Sequence, residues 1–203
     1  MTSSSADAAQ PLSRIQLARR SRVIVAAIAV INRDGLAAAS VDTIAKQAAI
    51  GKSTVLYHFK SKEGIYEAVV GNLFADGAAY MAPYILAAKT PKERLHAYIT
   101  ANLRYIAEHA DHIAAAHQIA NSTIAKDAGD QAVDWLQHML EDGQKEGVFG
   151  TFDARVTSLV IRGTIDNASY YFLSHPTINT DLYIQEVAQL FSNAVAPKGR
   201  STM

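Results

Sequence analysis

Residues 43–63 read TIAKQAAIGKSTVLYHFKSKE and carry the clearest pattern in this chain. The helical spacing of apolar residues predicts a short helix over about 41–48 and a second short helix over 52–59. A turn at 49–51 joins them, and a longer helix over about 14–34 precedes them. Three helices of which the last two are short and joined by a tight turn are typical of a helix-turn-helix unit.

The second short helix separates an inward face from an outward face, because 52–60 reads KSTVLYHFK. Val55, Leu56 and Phe59 can pack inward. A helix that reads DNA lies in the major groove, about 12 Å wide, and presents small, hydroxylated or cationic groups to phosphates and base edges. The outward side chains that can donate in this way are Lys52, Ser53, Thr54, Tyr57 and His58. The pattern favours a DNA-reading helix, and the alternative is a solvated helical hairpin.

Charge is distributed unevenly, although the formal net charge of the chain is zero. Residues 1–62 hold nine Lys and Arg and three Asp, a net charge of +6, and the rest of the chain therefore carries −6. A basic segment on an acidic body is expected where one part of a protein meets phosphate. Arg19, Arg20 and Arg22 could reach the DNA backbone or the minor groove, or they could be solvated charges.

The stretch 43–63 resembles the TetR (tetracycline-repressor) family. The family pattern is a Thr, then Ile-Ala, then Ala-Gly-Val-Ser before the reading helix, aromatic residues within that helix, and Phe-x-Ser-Lys-Glu after it. The matching residues are Thr43, Ile44, Ala45, Ala48, Lys52, Thr54, Tyr57, His58, Phe59, Ser61, Lys62 and Glu63. The resemblance covers about 20–75, and beyond it only the length and the succession of helices agree.

This resemblance implies an all-α fold of about nine helices, with an N-terminal three-helix DNA-binding domain and a larger helical domain for ligand binding and dimerisation. It also implies that seven positions touch DNA: Thr43, Lys52, Ser53, Thr54, Tyr57, His58 and Lys62. We assign Tyr57, His58 and Lys62 to phosphates, and Lys52 and Thr54 to base edges.

Three residues depart from the family pattern. Ala49 stands where the family usually has Gly, so a left-handed backbone there would cost roughly 1 kcal/mol. Gly51 replaces a capping Ser and is an acceptable but weaker N-cap. Leu56 replaces a common Tyr and so removes one hydrogen-bond donor to phosphate.

Capping signals divide the rest of the chain. Thr90-Pro91-Lys92-Glu93 predicts a helix start with a capping box, and Ala82-Pro83 predicts that the preceding helix ends near residue 80. The predicted later helices span about 62–80, 91–109, 111–121, 127–146, 154–174 and 180–195. We predict a disordered tail at 1–13, a DNA-binding domain at 14–61, a linking helix at 62–80 and a ligand-binding and dimerisation domain at 62–203.

The last two predicted helices are candidates for a dimer interface. One helix-turn-helix domain binds DNA weakly, so two copies on a symmetric site are expected. The helix at 154–174 carries an apolar face on which Gly163 and Ala168 would allow close approach. The resemblance likewise implies a four-helix bundle between protomers, and the alternative is that these are core positions only.

Aromatic residues on several middle helices predict an apolar ligand pocket with a few polar groups. Asp166 lies in an apolar helix and, if buried, must pair with a cation, a donor or a ligand. The candidate ligand-binding residues are Tyr105, His117, Asn121, Trp135, Asp166 and Tyr170. Each could instead be an ordinary core aromatic or an exposed polar group.

The sequence also argues against other classes of protein. It holds no cysteine, which excludes disulfides and thiolate metal sites, and no phosphate loop or nucleophile elbow. His109, His112 and His117 are poorly spaced for a shared metal, so we expect neither metal nor cofactor. The stretch MTSSSADAAQP does not resemble a secretory signal, and we expect a cytoplasmic protein.

We therefore predict a ligand-responsive repressor, not an enzyme, that binds palindromic operator DNA as a homodimer and is released by a small apolar or aromatic effector. The alternative is a helical small-molecule-binding protein or enzyme without a role on DNA.

Overall fold

The computed structural model describes residues 13–120 and 126–197, of which 126–130 by their backbone alone. Within these ranges the chain forms nine α-helices and no strand, as predicted. The helices are α1 (Arg14–Asp34), α2 (Val41–Ala48), α3 (Lys52–Phe59), α4 (Lys62–Ala87), α5 (Pro91–Glu108), α6 (Ala110–Ile119), α7 (Lys126–Lys145), α8 (Ala154–Ser174) and α9 (Thr180–Ala194). Of the predicted tail at 1–13, only Ser13 lies within the described residues. The candidate ligand residue Asn121 lies outside them.

The chain divides into two compact units, Met1–Ala68 and Val69–Met203. Helix α4 begins in the first unit and continues in the second. None of the helices in the described ranges is long and apolar enough to cross a membrane.

The first unit is built around α1. Ser13 caps this helix through a capping box with Gln16, and Gly35 ends it with a φ of 81°. Tyr66 of α4 donates a hydrogen bond to the Ala39 carbonyl at 3.1 Å, which fixes the start of α4 against the α1–α2 loop. The core of this unit is formed by Val23, Ala27, Val30, Ile31, Ile44, Ala45, Val55, Phe59 and Ile65.

The second unit is built around α5, which packs against α7, α8 and α9. The predicted capping box is present, with Glu93 N–H donating to Thr90 Oγ1 at 3.2 Å and Thr90 N–H donating to Glu93 Oε2 at 3.1 Å. Among the nine residues that α5 buries, Leu95, Ile99, Leu103 and Ile106 recur three or four residues apart. This stripe places α5 at the centre of the unit.

The predicted break at Ala82-Pro83 is wrong, because α4 continues through Pro83 to Ala87 instead of ending near residue 80. A proline lacks the N–H that would bond to the carbonyl four residues earlier, here that of Ala79. Both Ala79 and Pro83 are exposed, so water can satisfy that carbonyl. The helix therefore tolerates the proline close to its end.

Candidate DNA-binding and ligand-binding sites

The turn between α2 and α3 aims the reading helix. Ala49 ends α2 in the left-handed conformation, with φ 51° and ψ 46°, at the position where the TetR pattern has glycine. Gly51 is the N-cap of α3 and makes no side-chain capping bond, as its lack of a side chain dictates. Arg22 of α1 donates a hydrogen bond to the Ala48 carbonyl at 2.7 Å and so holds the end of α2.

Helix α3 is anchored by its inward face. Val55 and Phe59 are buried, and the Arg20 guanidinium lies over the Phe59 ring, 4.4 Å from its centroid. Arg20 also donates to the His58 carbonyl at 2.6 Å. Arg20 and Arg22 therefore brace α3 and α2 within this unit rather than standing as free solvated charges.

The outward face of α3 carries the predicted DNA contacts. Tyr57 is 65% exposed, and Lys52 and Ser53 are also exposed. A groove of about 260 Å³ runs in front of this face and joins Ser53, Thr54, Tyr57 and His58 to Gln16 and Arg19 of α1. Arg19 thus belongs to the same surface, a placement that the sequence left open.

Two lysines of the predicted set have partners within the protein. Lys52 Nζ lies 2.7 Å from Asp42 Oδ2 of α2, and both side chains are more than half exposed. Lys62 Nζ lies over the Tyr66 ring at 5.4 Å. An exposed ion pair contributes about 0–1 kcal/mol, so Lys52 can exchange Asp42 for another acceptor at little cost. Thr43 is half-buried, and its hydroxyl lies 2.8 Å from that of Ser40.

His58 is less available than its sequence position suggests. Its Nε2 is buried and makes no hydrogen bond within the described chain, and its ring packs edge-on against Tyr57 at 5.2 Å. Burial, followed by the positive charges of Arg20, Arg19 and Lys60, lowers the pKa of His58. A phosphate contact from Nε2 would require the ring to turn.

The second unit contains a partly open cavity of about 240 Å³ between α4, α5, α6, α7 and α8. Most of its wall is apolar and is contributed by residues such as Leu73, Phe74 and Ile113. Its polar end is formed by Asn102, His117, Arg162 and Asp166. This is a concave, largely apolar site with convergent polar groups, the usual form of a small-molecule pocket.

Three of the six predicted ligand residues, Tyr105, His117 and Asp166, line this cavity. Trp135 lies outside its lining and stacks on Tyr98, with the ring centroids 5.2 Å apart. Tyr170 borders a separate open groove that it shares with His117, Gly163, Asp166 and Asn167.

Arg162 organises the polar end and was missed from the sequence. It donates to the Tyr98 hydroxyl at 3.1 Å and to Asn102 Oδ1 at 3.3 Å, and it forms an ion pair with Asp166 one helical turn later. The Arg162 side chain is only 17% exposed and that of Asp166 is 43% exposed. Asp166 is only partly buried, and of the partners that the sequence left open it has a cation on its own helix, for which the spacing of four residues was the available signal.

Of the three histidines considered for a metal, His117 lines the cavity and the other two make contacts elsewhere. His109 stacks on Tyr105 at 4.2 Å, and His112 Nε2 lies 3.0 Å from the Val69 carbonyl of α4. Burial lowers the pKa of His112, although the bond to Val69 opposes this. Among the described residues no three His, Asp or Glu side chains form a group that could hold a metal ion.

An apolar face of α8 and α9 is exposed to solvent. Along α8 its large apolar residues occur in two groups, at 156–160 and at 170–173. The large exposed apolar residues of the two helices are Val156, Leu159, Val160, Tyr170, Tyr171, Leu173, Leu182 and Leu190. Ala168, in contrast, is buried in the core of its own unit and is not available for close approach of a partner.

Two family models match the chain. Residues 23–69 match the bacterial regulatory proteins of the tetR family, and residues 88–195 match a tetracyclin repressor-like C-terminal domain. The first match contains the α2–turn–α3 unit, and the second contains α5 to α9.

One characterised relative and two solved structures show how far the similarity extends. The HTH-type transcriptional regulator BetI of Proteus mirabilis (strain HI4320) is 32% identical over 94 residues, which are 45% of this chain and 47% of BetI. The chain thus matches about half the length of this relative. A tetR-family regulatory protein from Rhodococcus RHA1 superposes with a TM-score of 0.81 at 20% identity, covering 93% of this chain and 100% of the other.

The second structure is AibR in complex with isovaleryl coenzyme A and operator DNA. It superposes with a TM-score of 0.75 at 17% identity and covers 89% of this chain and 100% of AibR. At these identities both structures show that the fold is shared.

Proposed function

The chain belongs to the TetR family of transcriptional regulators, and we propose that it is a cytoplasmic repressor that binds palindromic operator DNA as a homodimer and is released by a small effector. The observation that carries this proposal is the outward face of α3, where hydroxyl, phenol and ammonium groups stand together over a buried Val55–Phe59 anchor. Such a face suits phosphates and base edges in a major groove.

The contacts on DNA divide into two groups in this proposal. Tyr57 and Lys62 bind phosphates and set the position of the helix, and His58 joins them once its ring has turned outward, whereas Lys52 and Thr54 read base edges. Ser53 and Thr43 support these contacts from the start of α3 and from α2. Arg19, which borders the same groove, extends the basic surface along α1.

The homodimer forms through α8 and α9. Leu159 is 50% exposed and Leu190 is 62% exposed, and an apolar face of this extent is stabilised when a second copy covers it. Two copies related by twofold symmetry would present two α3 helices to half-sites about 34–36 Å apart, which is why the operator should be palindromic.

Release by an effector proceeds through α4. Five cavity-lining residues lie on this helix, and two bonds tie its main chain to neighbouring helices: Tyr105 donates to the Leu73 carbonyl at 3.4 Å, and His112 Nε2 lies 3.0 Å from the Val69 carbonyl. Leu73 and Tyr105 both line the cavity, so an effector that binds there contacts α4 next to one of these bonds and can move the helix. Because α4 starts in the DNA-binding unit, its shift would change the half-site spacing and lower the affinity for DNA.

Two variants on the α3 surface test the DNA-binding part of the proposal. On a duplex that the wild-type protein selects from a random pool, Tyr57→Ala should weaken binding of the dimer about 30-fold, because each of the two protomers loses a contact of about 1 kcal/mol. Lys62→Ala should weaken binding and also reduce the slope of log affinity against log salt by about 2, one phosphate contact for each protomer. Tyr84→Ala and Lys92→Ala, on exposed positions of the second unit, are the matched controls.

Circular dichroism establishes that each variant is folded. Unchanged affinity and salt slope in both α3 variants would reject α3 as the reading helix. A folded wild-type protein that binds small molecules but no duplex would favour a helical binding protein or an enzyme without a role on DNA.

A further inference from the structure

The charges at the polar end of the cavity cancel one another. Arg162 carries a positive charge, and Asp166 on the next turn of α8 carries a negative one. Burial, partly opposed by Asp166 and reinforced by Arg162, lowers the pKa of His117, which favours its neutral form near pH 7. The remaining polar residues that line the cavity, Asn102 and Tyr105, are neutral there, and burial raises the pKa of Tyr105.

A charged ligand would disturb this balance. A carboxylate placed against Arg162 would also lie close to Asp166, and an ammonium placed against Asp166 would lie close to Arg162. The Arg162 guanidinium is moreover held by the Tyr98 hydroxyl and by Asn102 Oδ1, so it cannot turn away from Asp166 without losing these bonds. The Arg162 side chain is only 17% exposed, so a charged group that binds against it loses much of its own hydration, and this loss is costly where the charge is not balanced.

A neutral head group finds partners at the same place. Only Oδ1 of Asp166 bonds to Arg162, and within the described chain Oδ2 makes no hydrogen bond. The His117 ring packs against the Tyr170 ring, with the ring centroids 5.7 Å apart, and makes no hydrogen bond among the described residues. A hydroxyl group can donate to one of these acceptors and accept a bond from a neighbouring donor.

The size of the cavity limits the rest of the molecule. Its volume is about 240 Å³. An apolar protein cavity of ~150 Å³ accommodates one benzene molecule. The space therefore suits one or two rings, or an alkyl chain of similar bulk.

We propose that the effector is an uncharged, compact and mostly apolar molecule with one hydroxyl or similar neutral hydrogen-bonding group, held at Asn102, His117 and the Arg162–Asp166 pair. This inference rests on the proposed function in one respect: the bound molecule is an effector only if the protein is a regulator. The preference of the cavity for a neutral ligand stands or falls by itself.

The test uses three probes of nearly equal shape: cyclohexylmethanol, cyclohexanecarboxylate and cyclohexylmethylammonium. Trp135, the only tryptophan of the chain, reports binding, because it stacks on Tyr98 and the Tyr98 hydroxyl accepts a bond from Arg162. Calorimetry on the full-length protein at pH 7.5 provides the second readout. The alcohol should bind at least tenfold more tightly than either ion.

A charge-changing variant makes the test sharper. Asp166→Asn leaves Arg162 uncompensated, so the carboxylate should gain at least tenfold over the alcohol relative to the wild-type protein. Asp134→Asn is the matched control, because Asp134 also pairs with an arginine, Arg155, but outside the cavity lining. Its selectivity should equal that of the wild type.

Three results would overturn the inference: an ion that binds the wild-type protein as tightly as the alcohol, no binding of the alcohol up to 10 mM, or unchanged selectivity in Asp166→Asn. DNA binding measured on the same samples separates this failure from failure of the proposed function. A protein that binds its selected duplex but prefers an ion refutes only the neutral-effector inference, and one that prefers the alcohol but binds no duplex refutes only the repressor proposal.

Discussion

Ala49, in the turn between α2 and α3, has a strained backbone conformation. Its φ of 51° and ψ of 46° lie in the left-handed region, which glycine adopts freely and alanine does not. The neighbouring carbonyl of Ala48 is held by Arg22, so the surrounding contacts keep the turn in place. The strain is therefore local and can be removed by a single substitution.

We expect Ala49→Gly to raise the free energy of unfolding by up to about 1 kcal/mol, because glycine does not meet the steric penalty of this conformation. Ala18→Gly, at an exposed position inside α1, should lower it by a similar amount. Urea denaturation followed by circular dichroism measures both. If both substitutions destabilise equally, the turn is not left-handed in solution.

His112 gives a second residue-scale prediction, on pH. Burial lowers its pKa despite the bond to the Val69 carbonyl and the nearby charge of Asp76, and His109 adds to the lowering. The unfolded state, with a histidine pKa near ~6.5, therefore takes up a proton that the folded state resists, and stability is lost as the pH falls below about 6.5.

His112→Gln keeps a donor for the Val69 carbonyl but cannot titrate. The advantage of the wild-type protein over this variant should shrink as the pH falls from 7.5 to 5, by at most about 1.4 kcal/mol per pH unit. Denaturation at several pH values measures it, with His96→Gln at an exposed position as the control. The same pH dependence in both variants would contradict the assignment.

At the scale of helices, glycines in the second unit differ in what surrounds them. A Cβ at Gly143 in α7 would overlap the buried Phe149 ring and meet Pro91 Cβ at 3.1 Å. A Cβ at Gly71 in α4 would meet nothing within 4 Å. The end of α7 is thus packed against the loop that follows it, whereas this part of α4 is open.

Gly143→Ala should therefore lower the unfolding free energy by about 1–3 kcal/mol through overpacking. Gly71→Ala should raise it by about 0.5–1 kcal/mol, because alanine favours the helix. Thermal denaturation distinguishes the two. Equal effects of the two substitutions would mean that α7 and Phe149 do not pack as described.

Local chemistry explains which helices the sequence could predict. The helices that begin after Ser40, Thr90 and Asp153 could be placed because their capping residues act within one turn. The prediction that α4 ends before Pro83 was wrong because a helix tolerates this proline only where water reaches the Ala79 carbonyl. No local sequence pattern reveals that exposure.

The ligand site was only partly predictable for the same reason. Asp166 and His117 stood out as polar residues on apolar helices. The role of Arg162 was hidden because it depends on partners 60 and 64 residues away, Asn102 and Tyr98. Trp135 and Tyr170 were named as aromatics without any means of deciding which side of their helices faces the cavity.

At the scale of the whole molecule, the proposed homodimer depends on the exposed face of α8 and α9. Leu159→Glu should convert the dimer to monomers and weaken operator binding about 100-fold or more, since the two half-sites no longer bind together. Leu86→Glu, at an 83% exposed position near the end of α4, is the matched control. Sedimentation velocity and DNA titration measure both properties.

A dimer that persists in Leu159→Glu, in protein shown to be folded, would place the interface elsewhere. Loss of the dimer in both variants would indicate a general effect of the added charge rather than contact at α8.

We expect the α2–turn–α3 unit to read a symmetric DNA sequence. The test is selection of duplexes from a random pool by the folded, dimeric protein near physiological salt, followed by sequencing of the bound fraction. The result expected is an enriched palindrome whose half-sites are about one helical turn, roughly 34–36 Å, apart. A bound pool with no enriched sequence would contradict the claim.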